Sequence, residues 1–320
     1  MSGDAVATFR PTPWLANRHL QTLWASVASA PHPALISEQV ELPDGDALEI
    51  VRTGPLAGRP VLLLLHGLEG SIASPYARQL LAAAAARGWC GVLIHARGAA
   101  QRPNRLVRGY HSGDWADAAF VTQRLLTEGA TAVAGVGVSL GGNALLKWLG
   151  EAGASCPLVA AVAVSVPFSL AACADALTRG FARVYHRHLL RDMHASVWAK
   201  RHLNGLTATD LKKLTSFRLF DDRLTAPQNG FAGVDDYYQR ASCRQYLGGI
   251  TMPTTIFQAA DDPFVPPPCI PSAAELPPAV QLRLSPHGGH VGFLTGPWPR
   301  PWLPDAVIAT LAPYLERRSD

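Results

Sequence analysis

The sequence predicts an α/β fold with a mostly parallel central sheet and helices on both faces. Short continuous apolar runs alternate with Ala- and Leu-rich segments that end at glycine, which is typical of buried parallel strands alternating with helices. The alternation stops over residues 167–249, which contain no clear strand, and resumes afterwards. We therefore expect a single domain, residues 1–320, with a helical lid or cap inserted at 167–249.

Each element has its own local signal. Segments 36–42 and 47–53 flank the turn residues 43–45 and predict a β-hairpin, and the uninterrupted apolar run 61–65 predicts a strand buried on both faces. The remaining predicted strands are 89–95, 132–138, 158–166, 254–259 and 280–284. The predicted helices, of which the first three have glycine after their last residue, are 76–87, 115–128, 143–149 and 305–317.

Composition limits the classes of protein that this chain can belong to. It has 320 residues, of which 48% are hydrophobic and 16% charged, enough for a large core. A net charge of +4 is too small to indicate nucleic-acid binding. The first ten residues lack the apolar run of a secretory signal, and the most apolar stretch is too short to span a bilayer. We therefore expect a soluble, cytoplasmic protein.

The five cysteines form no CxxC pair and lack the spacing of a zinc site. They are interpreted as reduced core thiols rather than as metal ligands or a cysteine nucleophile. No stretch resembles a coiled coil, so the sequence is compatible with a monomer and with a small symmetric oligomer.

A G-x-S-x-G pentapeptide at residues 137–141 is the main functional signal. It lies between a predicted strand and a predicted helix, and its two glycines permit the tight turn that raises a nucleophilic serine above the sheet of an α/β-hydrolase fold. The helix that follows directs free N–H groups toward the same place. A structural Gly/Ser turn is the alternative, but the context favours Ser139 as a nucleophile.

A serine nucleophile needs a base, and the base needs an orienting acid. In this fold the chain order is serine, acid, histidine. His290, in the loop after the last predicted strand, is the preferred base because Gly288 and Gly289 let the backbone approach the serine. His287, in the same loop, is the alternative.

The acid is expected directly after the predicted strand 254–259. Asp261 and Asp262 are both candidates. Asp262 is preferred because Pro263 holds it away from helical conformation. Asp261 would then bond the nearby backbone.

An ester-cleaving serine also needs two N–H donors for the oxyanion of its tetrahedral intermediate. One is expected to be the backbone N–H of Leu140, directly after the nucleophile. The other is expected to be the backbone N–H of Leu68, in the loop 66–71 after the first long parallel strand. His66 in this loop is interpreted as a bracing side chain rather than a catalytic one.

Several segments together carry a family resemblance. The most specific is the N-terminal Asn-x-His-x-Gln-Thr element at 17–22. The others are 9–11, 14–16, 66–71, 97–98, 103–105, 110–113, 137–143, 261–264 and 287–293. With these segments the chain resembles the YheT-like, or AB-hydrolase-4, family of α/β-hydrolases.

The resemblance implies a Ser-Asp-His triad at Ser139, Asp262 and His290. It also implies carboxylic-ester hydrolysis without a metal or an organic cofactor, on a small-molecule or lipid ester. One departure is visible, because the family's Cys-Ser-Gly after Arg-Gly is here Ala99-Ala100-Gln101. A role of this loop in shaping the pocket is therefore not expected to carry over.

Three functions remain compatible with these motifs. The first is an esterase, the second is a thioesterase or a phospholipid or acylglycerol lipase with the same triad, and the third is a non-catalytic scaffold. Arg179, Arg183, Arg187 and Arg191 recur every four residues in the predicted insertion and would form a basic stripe on a helix. A solvated face is the favoured interpretation, and weak contact with an anionic membrane surface is the alternative.

Overall fold

The computed structural model describes residues 6–100 and 102–316, so residues 1–5, Gln101 and the predicted helix end at Arg317 lie outside the described part. The central sheet contains β1 (Ile36–Glu41), β2 (Ala47–Arg52), β3 (Pro60–Leu65), β4 (Cys90–His95), β5 (Ala132–Val138), β6 (Ala160–Val164), β7 (Thr254–Ala259) and β8 (Val280–Ser285). A separate antiparallel pair is formed by β9 (Leu294–Thr295) and β10 (Arg300–Pro301).

The strand order in the central sheet is β1-β2-β4-β3-β5-β6-β7-β8. Strand β2 is antiparallel to both β1 and β4, and the six strands β4-β3-β5-β6-β7-β8 are parallel to one another. The predicted mostly parallel sheet is therefore confirmed, and with it the α/β fold class.

Helices precede, separate and follow these strands. In the main domain they are α1 (Arg18–Val27), α2 (Pro75–Ala86), α3 (Ala116–Thr127) and α4 (Leu140–Ala152). Between β6 and β7 they are α5 (Leu170–Leu177), α6 (Ala182–Ala199), α7 (Arg201–Asn204), α8 (Ala208–Lys213), α9 (Phe217–Phe220), α10 (Ala226–Gln228) and α11 (Val234–Ala241), with a π-helical turn at Asp221–Thr225. The last helix of the described residues is α12 (Leu303–Leu315).

The inner strands β3 to β7 are buried on both faces, because alternate residues pack on opposite layers of helices. In β3, Val61, Leu63 and Leu65 join the core cluster that contains apolar residues of α3 and α4. Leu62 and Leu64 join the cluster that contains apolar residues of α2 and α12. This explains why β3 is an uninterrupted apolar run.

Two helices differ from the sequence-based expectation. Helix α4 begins at Leu140 instead of 143 and continues through Gly150, where a Cβ would lie 2.0 Å from the Tyr246 carbonyl oxygen. Gly150 is therefore needed for close packing, and the stop predicted there is wrong. Helix α1 has no counterpart among the predicted helices, and its apolar residues face solvent.

The segment between β6 and β7 has a hydrophobic core of its own, formed by residues such as Leu177, Tyr185, Phe217 and Tyr238. Leu68 and Phe264 of the main domain pack against this cluster. We refer to residues 167–249 as the cap, and their action as a lid stays a prediction.

All five cysteines are free thiols. Within residues 6–100 and 102–316, no helix combines the length and the apolar character needed to cross a bilayer.

Candidate active site

The predicted site residues come from four loops that follow parallel strands. Leu68 follows β3, Ser139 follows β5, Asp262 follows β7 and His290 follows β8. Because the carboxyl ends of parallel strands meet at one edge of a sheet, residues far apart in the chain converge there.

Ser139 stands in a strained turn between β5 and α4. Its backbone has φ 53° and ψ −118°, and its N–H donates to the Val164 carbonyl at 2.8 Å. The flanking glycines are needed, because a Cβ on Gly141 would lie 2.3 Å from the Leu65 carbonyl oxygen and one on Gly137 would lie 2.5 Å from the Gly141 carbonyl oxygen. The turn thus explains both glycines of the pentapeptide.

Ser139, His290 and Asp262 form a hydrogen-bonded row. His290 Nε2 lies 2.9 Å from Ser139 Oγ, and His290 Nδ1 lies 2.9 and 3.1 Å from the two Asp262 carboxylate oxygens. Since a carboxylate only accepts, Nδ1 is the ring nitrogen that carries the proton, and Nε2 is free to accept the proton of the Ser139 hydroxyl. Asp262 is buried and Ser139 is half-buried, so Ser139 Oγ is the accessible end of the row.

The neighbouring candidates occupy different positions. Asp261 accepts from the Gly289 N–H at 3.0 Å and lies 3.4 Å from the half-exposed His287 ring, outside the row. Asp262 is held by the Phe264 N–H at 2.8 Å. The structure therefore brings together the preferred residues and places the two alternatives in a brace for the loop that carries His290.

The loop after β3 lies against the serine turn, since a Cβ on Gly67 would be 3.2 Å from the Ser139 Cβ. In the part of the chain that the structure describes, the backbone N–H groups of Leu68 and Leu140 have no protein acceptor. Both are therefore available to a ligand beside Ser139. Their assignment as the oxyanion hole stays a prediction.

His66 braces this loop. Its Nδ1 donates to the Gly67 carbonyl at 2.7 Å, and its Nε2 accepts from the Ala96 N–H at 3.0 Å. Complete burial, only partly offset by the bond to Gly67, lowers the pKa of His66 to about 4. The ring is therefore neutral at neutral pH, as both hydrogen bonds require.

Glu69 connects the same loop to the cap. Its backbone has φ 53°, its N–H donates to the Tyr110 hydroxyl at 2.7 Å, and its carboxylate accepts from Ser196 of α6. Burial raises the pKa of Glu69, although the hydrogen bonds from Ser196 and Tyr110 by themselves would lower it. Glu69, the residue next to Leu68, is thus held both by the main domain and by the cap.

Two positioning residues were missed by the reasoning from sequence. The His290 N–H donates to Thr22 Oγ1 of α1 at 2.9 Å, and the Val291 N–H donates to Ser165 Oγ at 2.9 Å. Ser165, in the turn after β6, has φ 53° and is fully buried. The 17–22 element includes Thr22, but the motif alone does not indicate which group this hydroxyl contacts. Nothing in the sequence singles out Ser165.

A cavity of about 900 Å³ opens beside Ser139. Its lining comes from two parts of the molecule, the cap on one side and α1, α2 and α12 on the other. The cap side is lined by Leu170, Ala174, Leu177, Met193 and Phe217, and the other side by Leu23, Val27, Leu80 and Leu303. An apolar cavity at the upper end of the usual size range suits a large apolar ligand.

Comparison with known proteins identifies the family and the fold of the chain. A family model for the alpha/beta hydrolase fold matches residues 60–297. A protein of Escherichia coli strain K12 named "Putative esterase YheT" is 41% identical over 334 residues, which cover 98% of this chain and 95% of that protein. Phospholipase ABHD3 of Mus musculus is 32% identical over 308 residues, which cover 92% of this chain and 75% of that protein.

Solved structures show the same fold at lower identity. The Pyrococcus furiosus esterase Pf2001 in space group C2221 is similar with a TM-score of 0.57 and 14% identity, covering 98% of this chain and all of that chain. The 2,6-dihydroxy-pseudo-oxynicotine hydrolase is similar with a TM-score of 0.56 and 18% identity, covering 93% and 72% of the two chains.

Proposed function

The chain belongs to the YheT-like branch of the α/β-hydrolase family, and on this premise we propose that it is a serine hydrolase that cleaves carboxylic esters. The relatives named esterase and phospholipase support a hydrolase. The observation that carries the proposal is the row in which His290 bridges Ser139 Oγ and Asp262 at hydrogen-bond distances.

The proposed reaction begins when His290 Nε2 takes the proton of the Ser139 hydroxyl and Oγ attacks the ester carbonyl carbon. The backbone N–H groups of Leu68 and Leu140 stabilise the oxyanion. The intermediate collapses as the C–O bond to the alcohol breaks, and His290 donates its proton to that alcohol. Water, deprotonated by His290 Nε2, then attacks the acyl-enzyme carbonyl; the bond to Oγ breaks, the acid is released, and His290 returns the proton to Ser139 Oγ. Asp262 keeps Nδ1 protonated and the ring in place throughout.

A phospholipid or acylglycerol ester is the second candidate substrate, and the size and apolar lining of the cavity favour it. The same triad would serve both. A thioesterase would use these groups as well, but no feature of the site selects a thioester.

The test is turnover of a p-nitrophenyl ester series from acetate to palmitate, with Ser139→Ala beside the wild type. We expect turnover by the wild type and a loss of several orders of magnitude in the variant, because removal of the nucleophile leaves only binding and oxyanion contributions. A fluorophosphonate probe should label the wild type and not Ser139→Ala. If the wild type neither turns over an ester nor takes the label, the chain is a scaffold and the proposal fails.

A further inference from the structure

Helix α1 presents its apolar side to solvent. Leu20, Leu23, Trp24 and Val27 recur at helical spacing and are exposed, Val27 by 80%. Gln21, on another side of the helix, is fully buried. A surface helix ordinarily directs its apolar stripe toward the core, whereas α1 directs its apolar stripe toward solvent and buries a polar side chain.

Polar contacts hold α1 in this orientation. The Gln21 side-chain amide donates to the Leu15 carbonyl at 2.9 Å and to the Leu294 carbonyl at 3.2 Å, and its oxygen accepts from the Leu294 N–H at 2.7 Å. Thr22 accepts from the His290 N–H. The exposed apolar side chains are therefore free to contact something outside the chain.

The apolar surface continues from α1 onto the cap. Trp14 packs edge-on against Trp24 with ring centroids 5.5 Å apart, and His19 of α1 contacts Phe181, just before α6, at 4.5 Å. We define the entrance patch as the exposed residues Trp14, Leu20, Leu23, Trp24, Val27, Phe181 and Val184.

The entrance patch lies at the opening of the catalytic cavity. Leu23, Val27 and Val184 are exposed and also line the cavity, so they mark its mouth. Large exposed apolar patches are uncommon on soluble proteins and indicate a binding surface. Whatever covers this patch therefore controls or supplies the route to Ser139.

Positive charge accompanies the patch. Arg183 and Arg187 lie on α6 on either side of Val184 in the chain, and both are exposed. Within the described ranges neither has an acidic partner, whereas Arg191, one turn further along, pairs with Asp192. Helix α1 itself contains no acidic residue.

We propose that the entrance patch docks on an anionic lipid surface. Its aromatic and aliphatic side chains would enter the headgroup region while Arg183 and Arg187 contact lipid phosphates, the two kinds of attraction that together give stable interfacial binding. A second copy of the chain on this patch would cover the cavity mouth, whereas a lipid surface offers esters directly to it. The docking goes beyond the proposed function, because it does not require Ser139 to react.

The test is cosedimentation of the Ser139→Ala protein with phosphatidylglycerol–phosphatidylcholine vesicles, so that the result is independent of hydrolysis. We expect binding at low salt that weakens as salt is added. Adding Leu20→Gln and Trp24→Gln should lower the vesicle partition coefficient by about tenfold or more. Adding Arg183→Gln and Arg187→Gln should reduce it on phosphatidylglycerol vesicles but have little effect on pure phosphatidylcholine.

Matched controls separate the patch from general effects. Leu284→Gln removes an exposed apolar residue of β8, and Lys212→Gln with Arg223→Gln removes two exposed positive charges of the cap. These variants should bind vesicles like the parent, and thermal unfolding verifies that every variant is folded. No binding at low salt, equal losses in the controls, or a dimer that the Leu20 and Trp24 changes dissociate without any vesicle binding would each overturn the proposal.

Discussion

His290 depends on contacts from several parts of the chain. Its ring is fixed by Asp262 and by Phe264, whose ring stacks on it at 4.0 Å, and its backbone N–H is fixed by Thr22. The next residue is bonded to Ser165. In the proposed mechanism, a base held in this way meets the Ser139 hydroxyl without reorganising, which is how positioning contributes to rate.

At the residue scale, Thr22→Val tests this positioning. The substitution keeps the shape of the side chain but leaves the His290 N–H without its acceptor, an unsatisfied donor that costs about 1–3 kcal/mol. We expect kcat on a p-nitrophenyl ester to fall about tenfold with a smaller change in KM. Thr22→Ser, which keeps the hydroxyl, should restore kcat. Equal losses in both variants would contradict a positioning role.

The same residue shows where reasoning from sequence reaches its limit. The strand–turn–helix context led to Ser139, and the fold's chain order led to His290 and Asp262, which the structure places together. The contact of Thr22 with His290 joins residues 268 positions apart. No local pattern encodes such a contact, so it could be recognised only once the fold was known.

At the scale of the element, α1 shows that apolar periodicity indicates a helix but not which of its sides is buried. Its apolar residues recur at helical spacing, yet this stripe is exposed. Its N-terminal signal is standard, because Asn17 accepts from the His19 and Leu20 N–H groups. The helix is retained by the buried amide of Gln21, a residue type that ordinarily predicts a solvent-facing position.

The π-helical turn of the cap contains a second testable group, Asp221. Its carboxylate is buried and accepts from the Thr225 and Tyr238 hydroxyls, each at 2.7 Å. Burial raises the pKa of Asp221 from 3.8 to about 6, although these two hydrogen bonds by themselves would lower it. The folded protein therefore holds this proton more tightly than the unfolded chain, and its free energy of unfolding should fall as pH rises from 3.8 to about 6.

Asp221→Asn should remove that decline, because an amide has no proton to lose. Above the folded-state pKa of Asp221 the variant should gain on the order of 1–3 kcal/mol over the wild type, and the difference should disappear in acid. Thermal unfolding across this pH range measures it. Asp235→Asn, which removes an exposed carboxylate of α11 that pairs with Arg218, is the control for loss of one acidic residue of the cap. A constant difference between Asp221→Asn and the wild type at every pH would contradict the argument.

At the scale of the whole molecule, Arg97 connects separate parts of the chain. It is buried in the loop after β4, donates twice to Asp117 of α3 at 2.6 and 2.7 Å, and donates to Asp44 and Asp46 in the β1–β2 turn. Burial alone would raise the pKa of Asp46, but hydrogen bonds from Asn104 and two backbone N–H groups, with the charge of Arg97, lower it instead.

Arg97→Met should therefore destabilise the fold strongly. Removing one partner leaves carboxylates without their cation, and breaking a buried charge network costs about 3–5 kcal/mol. Urea unfolding of the variant measures the loss, and the loss should shrink in acid as the carboxylates protonate. Arg105→Met breaks an exposed Arg–Glu pair with Glu41 and should cost much less. Similar losses in the two variants would show that the network does not stabilise the molecule.

The last prediction concerns the two sides of the cavity, one lined by the cap and the other by α1, α2 and α12. Under the proposed ester hydrolysis, a long acyl chain needs apolar space beyond Ser139, and the cap side of the cavity provides it. Ala174 of α5 lines that side and is nearly buried, so Ala174→Phe would fill part of the space. We expect kcat/KM to fall about tenfold for palmitate and little for acetate, because a two-carbon acyl group needs little of this space.

Ala25→Phe places the same bulk on the α1 side of the cavity, and Ala199→Phe places it on the exposed end of α6, away from the cavity. If the acyl chain binds under the cap, only Ala174→Phe shortens the acyl chain that the enzyme prefers. Ala25→Phe then lowers kcat/KM for esters with bulky alcohols instead. The opposite pattern would assign the acyl chain to the α1 side. Because α1 bears the entrance patch, that outcome would place the acyl chain nearest to the proposed lipid surface and the alcohol under the cap.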